Sequence, residues 1–166
     1  MRFTALLPLL LMAPVLGSCA LTPMYAGGGS GAVASGLSAV EVSPIEGQEG
    51  WLMHSALTDR LGAGGSNAAT RYRLDVRLDD QLTGLGLLSD DTIGRERRSL
   101  RARYRLVDLS TGETILDQTA GADAGIDVVS SEYATIAAEQ TALENLTMEV
   151  ADRIVTSVAL KLRSAG

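Results

Sequence analysis

Tyr72-Arg73-Leu74-Asp75-Val76-Arg77-Leu78-Asp79 and Leu100-Arg101-Ala102-Arg103-Tyr104-Arg105-Leu106 are the two stretches that decide the fold. In both stretches apolar residues hold the even-numbered positions, and charged residues hold the odd-numbered positions. Successive side chains of a β-strand point to opposite faces, so this alternation predicts two strands of a sheet with one covered and one exposed face.

The alternation also limits how the two strands pair. Residues that lie opposite each other must have numbers that add up to an even sum, near 180 or 182, if both apolar rows are to share a face. We therefore expect Arg77 to lie opposite Arg103 or Arg105. The turn between the strands is predicted to be a three-residue loop or to contain a bulge, aided by Gly84 and Gly86.

The remaining chain supplies helices to cover one face of this sheet. A short strand is predicted over 37–45, a helix over 48–62 and strands over 70–88, 99–109 and 114–129. A turn is predicted at 110–113. A long helix follows, capped by Ser130 or Ser131. Its predicted apolar stripe is Ile136, Leu143, Leu146, Val150, Ile154, Val158 and Leu162. The order β-α-β-β-β-α predicts an α+β two-layer sandwich, a four-stranded, mostly antiparallel sheet with two helices on one face.

The N-terminus has the features of an export signal. Arg2 precedes an apolar run over 5–16, and small residues then lead to Cys19. Leu16-Gly17-Ser18-Cys19 resembles the lipobox of bacterial lipoproteins, which implies that Cys19 is lipidated and becomes the first residue of the mature chain. We therefore predict a signal peptide over 1–18, a lipidated flexible tether over 19–36 and a single domain over 37–166. The alternative is an ordinary signal peptide that leaves a free thiol.

The exposed face of the sheet is predicted to be rich in arginine. Guanidinium groups bind phosphate and carboxylate bidentately. Lipopolysaccharide is the abundant phosphate polyanion of a two-membrane envelope, so this face of an exported lipoprotein is a candidate contact for lipopolysaccharide phosphates or for an acidic partner. The alternative is a solvated sheet face whose arginines pair with interleaved aspartates. The seven arginines of this predicted face, counted against Asp75 and Asp79, give the face an expected net charge of about +5. The candidate residues are Arg71, Arg73, Arg77, Arg97, Arg101, Arg103 and Arg105.

Composition argues against several other functions. A net charge of -6 disfavours nucleic-acid binding. The chain has one cysteine and one histidine, His54, which rules out an intrachain disulfide and leaves too few ligands for a typical zinc site. No Gly-x-Ser-x-Gly motif is present, so we expect no enzyme activity and no cofactor.

Several stretches together resemble the LptE family of lipopolysaccharide-assembly lipoproteins in its alphaproteobacterial form. They are Cys19 to Tyr25, the two alternating strands, and Tyr133-Ala134-Thr135-Ile136-Ala137-Ala138-Glu139-Gln140. The resemblance implies a non-enzymatic protein that sits in or against the outer-membrane β-barrel LptD and helps deliver lipopolysaccharide to the outer leaflet. The residue two positions after the cysteine is Leu21 and not Asp. By resemblance to enterobacterial sorting, this favours the periplasmic face of the outer membrane.

A second interpretation is an accessory lipoprotein of another envelope complex. A lipid transporter, a secretin pilot or a barrel-assembly subunit could use the same anchor and a small α+β domain. A periplasmic module that only tethers or spaces other complexes also fits the sequence. Since fold does not decide function, the partner discriminates between these interpretations.

Overall fold

The computed structural model describes residues 31–62, 69–87 and 93–165. Its elements are α1 (Ala32–Ser38), β1 (Val40–Val42), α2 (Gln48–Gly62), β2 (Tyr72–Leu87), β3 (Ile93–Asp108), β4 (Thr114–Asp127) and α3 (Glu132–Ala165). The predicted α+β class is confirmed, with α1 as an additional helix. The predicted signal peptide, Cys19 and the tether as far as residue 30 lie outside the described residues.

The start of the domain differs from its prediction. The segment predicted as the end of a flexible tether and the start of a strand is helix α1, and the strand is limited to Val40–Val42. Leu37 is buried, and a Cβ atom at Gly36 would lie 3.4 Å from Cδ1 of Leu162. The small residues that suggested a tether therefore allow a helix to pack closely against α3.

The sheet has the order β1-β2-β3-β4, with β1 parallel to β2 and the other pairs antiparallel. Leu74 lies opposite Leu106 and Arg77 opposite Arg103, which confirms the register that adds up to 180. The same register continues to the pair Leu87 and Ile93. The predicted three-residue loop or bulge falls on residues 88–92, which lie outside the described residues. β3 begins six residues earlier than expected.

The hydrophobic core lies between the even-numbered face of the sheet and the helices. Leu74, Leu100 and Leu106 are fully buried there, beneath α2 and α3. The two helices are joined along their length by Gln48 Nε2 to Gln140 Oε1 at 3.2 Å and by Arg60 Nε to Asp152 Oδ1 at 2.5 Å. The predicted two-layer packing is thus present, with polar ties between the helices.

The residues predicted to form the apolar stripe of helix α3 are buried, except near the start of the helix. The stripe residues from Leu143 to Leu162 are buried, but Ile136 is 54% exposed. Ile136 precedes Ala142, the first apolar side chain of α3 that is buried, so its expected burial is wrong. Of the two candidate caps, Ser131 accepts the backbone N–H of Ala134 at its Oγ over 3.4 Å.

The predicted turn between β3 and β4 is also present. The N–H of Gly112 donates to the Asp108 carbonyl over 2.8 Å. Gly112 has a φ angle of 73°, a left-handed conformation that glycine adopts without steric cost.

Candidate functional site: the arginine face of the sheet

The outward face of the sheet, called the arginine face below, carries the odd-numbered side chains of the long strands. The helices cover the other face, so these side chains point away from the core. All seven candidate arginines are exposed, as predicted: Arg71, Arg73, Arg77, Arg97, Arg101, Arg103 and Arg105.

Strand β4 supplies acidic partners that the sequence-based count missed. Asp117, Asp123 and Asp127 lie on the same face and form ion pairs with Arg103 at 3.0 Å, Arg101 at 2.9 Å and Arg95 at 3.0 Å. With Arg95 and Glu41 included, the face holds eight arginines against six acids, so its net charge is +2 rather than +5. The count was wrong because the register of β4 against β3 could not be read from alternation.

Gly121 explains how one of these pairs is held. It lies directly opposite Arg101, and a Cβ atom at Gly121 would lie 2.4 Å from Cδ of Arg101. The absent side chain lets the arginine lie across β4, where its Nη1 donates to the Ala122 carbonyl over 2.9 Å. Its Nη2 reaches both carboxylate oxygens of Asp123. The missing side chain of Gly121 therefore makes room for the ion pair between Arg101 and Asp123.

Hydrogen bonds lower the pKa of three aspartates on this face. The hydrogen bond from Arg103 lowers the pKa of Asp117, and bonds from the Ser99 hydroxyl and Arg101 lower the pKa of Asp123. Burial raises the pKa of Asp75, but the Ser43 hydroxyl and Arg73 outweigh it, so the net shift is downward. These aspartates are thus fixed partners of particular arginines.

Three arginines of this face lie around one depression that contains a single acidic side chain. Arg77, Arg103 and Arg105 line a shallow depression of about 140 Å³ together with Asp75. Within the described residues Arg77 has no ion-pair partner, and its opposite neighbour is Arg103. Arg105 lies between Asp75 and Asp117, each of which is hydrogen-bonded to a different arginine. This depression is the part of the arginine face that is best arranged to bind a phosphate or carboxylate.

The other candidate arginines do not line this depression, and most of them form ion pairs with aspartates. Arg101 is held by Asp123, and Arg73 is held by Asp75 at 3.1 Å. Arg71 lies at the end of the sheet, 3.5 Å from Asp108, with its guanidinium carbon 5.1 Å from the Tyr72 ring centroid. Arg97 is on the far part of β3, opposite Thr83 and Gly125.

Sequence reasoning missed a charged pair on the covered face. Arg98 Nη2 lies 2.5 Å from Oδ2 of Asp80, and both side chains are only 16% exposed. Arg98 also donates to the carbonyl of Glu139 in α3 over 2.9 Å. The signal was available, because Asp80 and Arg98 are charged residues at even, inward-facing positions. The pair ties the β2–β3 hairpin to α3, so its role is structural.

The described ranges offer little for other chemistry. In them, no group of histidine, cysteine, aspartate and glutamate side chains could hold a metal ion. None of their helices combines the length and hydrophobicity required to cross a membrane.

Comparison with solved structures places this fold among bacterial lipoproteins. A candidate lipoprotein from Caulobacter crescentus is 27% identical and has a TM-score of 0.67, with 82% of this chain and 98% of that chain covered. Rare lipoprotein B from Shewanella oneidensis is 12% identical with a TM-score of 0.57, covering 76% of this chain and 96% of that chain. A minor lipoprotein from Acinetobacter baumannii is 16% identical with a TM-score of 0.55, and the match covers 73% of this chain and 88% of that chain.

Sequence comparison gives the family. No curated protein matches this chain. The family model LptE, described as lipopolysaccharide-assembly, matches residues 37–158, which include the whole sheet, α2 and most of α3. This chain therefore belongs to the LptE lipopolysaccharide-assembly family.

Proposed function

We propose that this protein is an outer-membrane lipoprotein that partners an LptD-like β-barrel in the assembly and delivery of lipopolysaccharide to the outer leaflet. The family match over residues 37–158 carries the proposal. The fold supports it, because the helices leave the charged face of the sheet available to a partner. The protein acts by binding and positioning rather than by catalysis.

Depletion of the protein in its native cell tests this role. We expect the fraction of lipopolysaccharide that reaches the cell surface to fall while total lipopolysaccharide is maintained or accumulates inside the envelope. Re-expression of the wild-type chain is the control and should restore the surface fraction. A surface fraction that is unchanged after depletion would contradict the proposal.

The proposed anchor is a thioether-linked lipid on Cys19. A thiol is required for this attachment, so Cys19→Ala should abolish labelling by a fatty-acid analogue, whereas Ser18→Ala should retain it. Several acyl chains on one residue would hold the domain at the membrane far more firmly than a single chain. In fractionated envelopes we expect the wild type in the outer membrane. Label retained by Cys19→Ala would refute the anchor.

The proposed contact for lipopolysaccharide is the depression between Arg77, Arg103 and Arg105. Phosphate and carboxylate groups of the glycolipid would bind the guanidinium forks. Arg77 is the best position to test, because it has no ion-pair partner in the described part of the chain. Reversal of Arg101 or Arg103 would also break an internal ion pair.

Purified lipopolysaccharide should bind Arg77→Glu about tenfold more weakly than wild type, which corresponds to about 1.4 kcal/mol. Arg163→Glu is the matched control, since it makes the same charge change at an exposed position of α3. The wild-type affinity should also fall as salt is added. If both reversals weaken binding equally, the effect is one of net charge and the assigned depression is wrong.

A further inference from the structure

A cavity at one end of the domain is not used by the proposed function. It has a volume of about 530 Å³ and lies where α1, the start of β2 and the last turns of α3 meet, beside the turn between β3 and β4. Buried and half-buried apolar side chains form part of its lining: Val33, Ala39, Tyr72, Ile115 and Leu162. The cavity therefore has the size and apolar character of a site for one small ligand.

Three basic side chains line the same cavity, together with a single acid. Arg71 comes from the start of the sheet, and Lys161 and Arg163 come from α3. The acid, Asp108, accepts the backbone N–H and the hydroxyl of Ser110 at Oδ1 over 2.8 and 2.5 Å, and its Oδ2 lies 3.5 Å from Nη2 of Arg71. Within the described residues neither Lys161 nor Arg163 has an ion-pair partner. The cavity thus holds two positive charges that no acid offsets.

The unpaired charges and the apolar lining together match the headgroup region of an anionic phospholipid. Ammonium and guanidinium groups bind phosphate oxygens, and apolar side chains contact the glycerol and the first methylene groups of the acyl chains. A cation in the last turn of a helix also offsets the negative end of the helix dipole, but this effect does not require the cations to share a cavity with Arg71 of the sheet. A cavity of about 530 Å³ is too small for the phosphorylated oligosaccharide of lipopolysaccharide, so a glycerophospholipid is the better match.

The position of the cavity favours a lipid of the membrane to which the chain is anchored. Val33 in the cavity wall lies fourteen residues after Cys19, and a segment of that length spans at most about 50 Å whatever its conformation. The β2–β3 hairpin lies at the other end of the domain, since Leu87 is fifteen residues, or about 50 Å at roughly 3.3 Å per residue, beyond Tyr72. The anchored segment therefore joins the domain at the cavity and not at the hairpin.

We propose that this cavity binds the headgroup of an anionic glycerophospholipid in the anchoring membrane. Lys161 and Arg163 bind the phosphate, Arg71 stays with Asp108 and adds positive potential at the rim, and the apolar lining contacts the glycerol. A second membrane contact beside the anchor sets which end of the domain faces the bilayer and directs the β2–β3 hairpin away from it. The inference rests on the proposed lipid anchor at Cys19 and is independent of the LptD-like partner.

Photo-crosslinking of the lipidated, full-length protein in reconstituted bilayers tests this proposal. The bilayers consist of phosphatidylcholine with a minor fraction of phosphatidylglycerol that carries a photoreactive diazirine at the top of one acyl chain. Phosphatidylcholine with the same diazirine is the control lipid. We expect phosphatidylglycerol adducts on peptides from 32–39 and 158–165, which line the cavity, at a yield about tenfold above that of the control lipid.

A pair of double variants with equal charge change provides the decisive comparison. Lys161→Gln with Arg163→Gln removes both unpaired charges of the cavity and should lower the phosphatidylglycerol adduct about tenfold. Ser55→Glu with Thr83→Glu lowers the net charge by the same two units at exposed positions outside the cavity and should leave the yield unchanged. Both double variants should melt like the wild type.

The remaining outcomes separate this site from the other proposals. Added lipopolysaccharide should not displace the phospholipid, and Arg163→Glu should lower the adduct without changing the affinity for lipopolysaccharide. The proposal is overturned by equal yields from the two lipids, by a yield that the cavity variant does not change, or by loss of the adduct when lipopolysaccharide is added. A wild-type protein that does not float with the bilayers refutes the anchor and this site together, whereas flotation without cavity adducts refutes this site alone.

Discussion

Arg77 of β2 and Arg103 of β3 lie directly opposite each other on the exposed face of the sheet. Only Arg103 has an acidic partner in the described part of the chain, Asp117 at 3.0 Å. Like charges at opposed positions destabilise a pair of strands. Within the described residues Arg77 has no such partner, so its position opposite Arg103 does not stabilise the sheet.

Replacement of Arg77 by glutamine should therefore raise the melting temperature slightly, by about 1–3 °C, because it removes the like-charge contact. Arg73→Gln is the control on the same strand and should not raise it, since Arg73 is paired with Asp75. Differential scanning calorimetry measures both variants. A clear loss of stability in Arg77→Gln would show that Arg77 supports the fold.

Arg98 and Arg97 are neighbours on β3 that face opposite sides of the sheet, so they provide a matched test of the covered ion pair. Arg98→Gln should lower the free energy of unfolding by about 1.5–3 kcal/mol, because it leaves the Asp80 carboxylate without its main partner. Arg97→Gln should change it by less than about 0.5 kcal/mol. Urea denaturation distinguishes the two, and equal effects would contradict the structural role of Arg98.

Two isoleucines of α3 test where the helix first meets the core. Ile154 is fully buried, so Ile154→Ala should lower the free energy of unfolding by about 2–5 kcal/mol. Ile136 is 54% exposed, and Ile136→Ala should cost less than about 0.5 kcal/mol. A large loss in Ile136→Ala would mean that the first turns of α3 pack against the sheet after all.

The aspartates of the arginine face predict how stability depends on pH. Because hydrogen bonds and nearby arginines lower the pKa of Asp117 and Asp123 in the folded state, the unfolded chain takes up protons first as the solution is acidified. Their stabilising contribution is complete above about pH 4, the usual range for a free aspartate, and is lost as pH falls below it.

We therefore expect a melting temperature that is nearly constant from pH 7 to pH 5 and that falls below about pH 4. Asp123→Asn should have a lower melting temperature at pH 7 and a weaker decline in acid, since the lost carboxylate no longer takes up a proton. Thermal unfolding followed by circular dichroism at pH 3, 4, 5 and 7 measures this. An equally steep decline in the variant would exclude Asp123 as a contributor.

Strict alternation made the sheet predictable from sequence. The even positions of β2 and β3 form one apolar row, so the covered face and the register of Arg77 with Arg103 follow from parity. Alternation is weaker outside this hairpin. β4 contains Gly121 and Gly125, so the sequence gives no indication that Asp117 and Asp123 would neutralise part of the arginine face. Those partners depend on long-range pairing, which local patterns do not encode.

The errors near the start of the domain have a different cause. Gly36 and its small neighbours were interpreted as a flexible tether because their composition favours disorder in isolation. In the folded protein Gly36 permits close contact with Leu162, more than a hundred residues later in the chain. Tertiary packing therefore decides the conformation of this segment. The outward position of the seven candidate arginines followed from alternation, whereas the depression among Arg77, Arg103 and Arg105 did not.

Affinity purification of the tagged, full-length lipoprotein from native outer membranes, followed by quantitative mass spectrometry, is the most direct test of the proposed function. We predict a stoichiometric complex with an LptD-like β-barrel. Recovery instead of a lipid transporter, a secretin or a barrel-assembly complex, with no such barrel present, would contradict it.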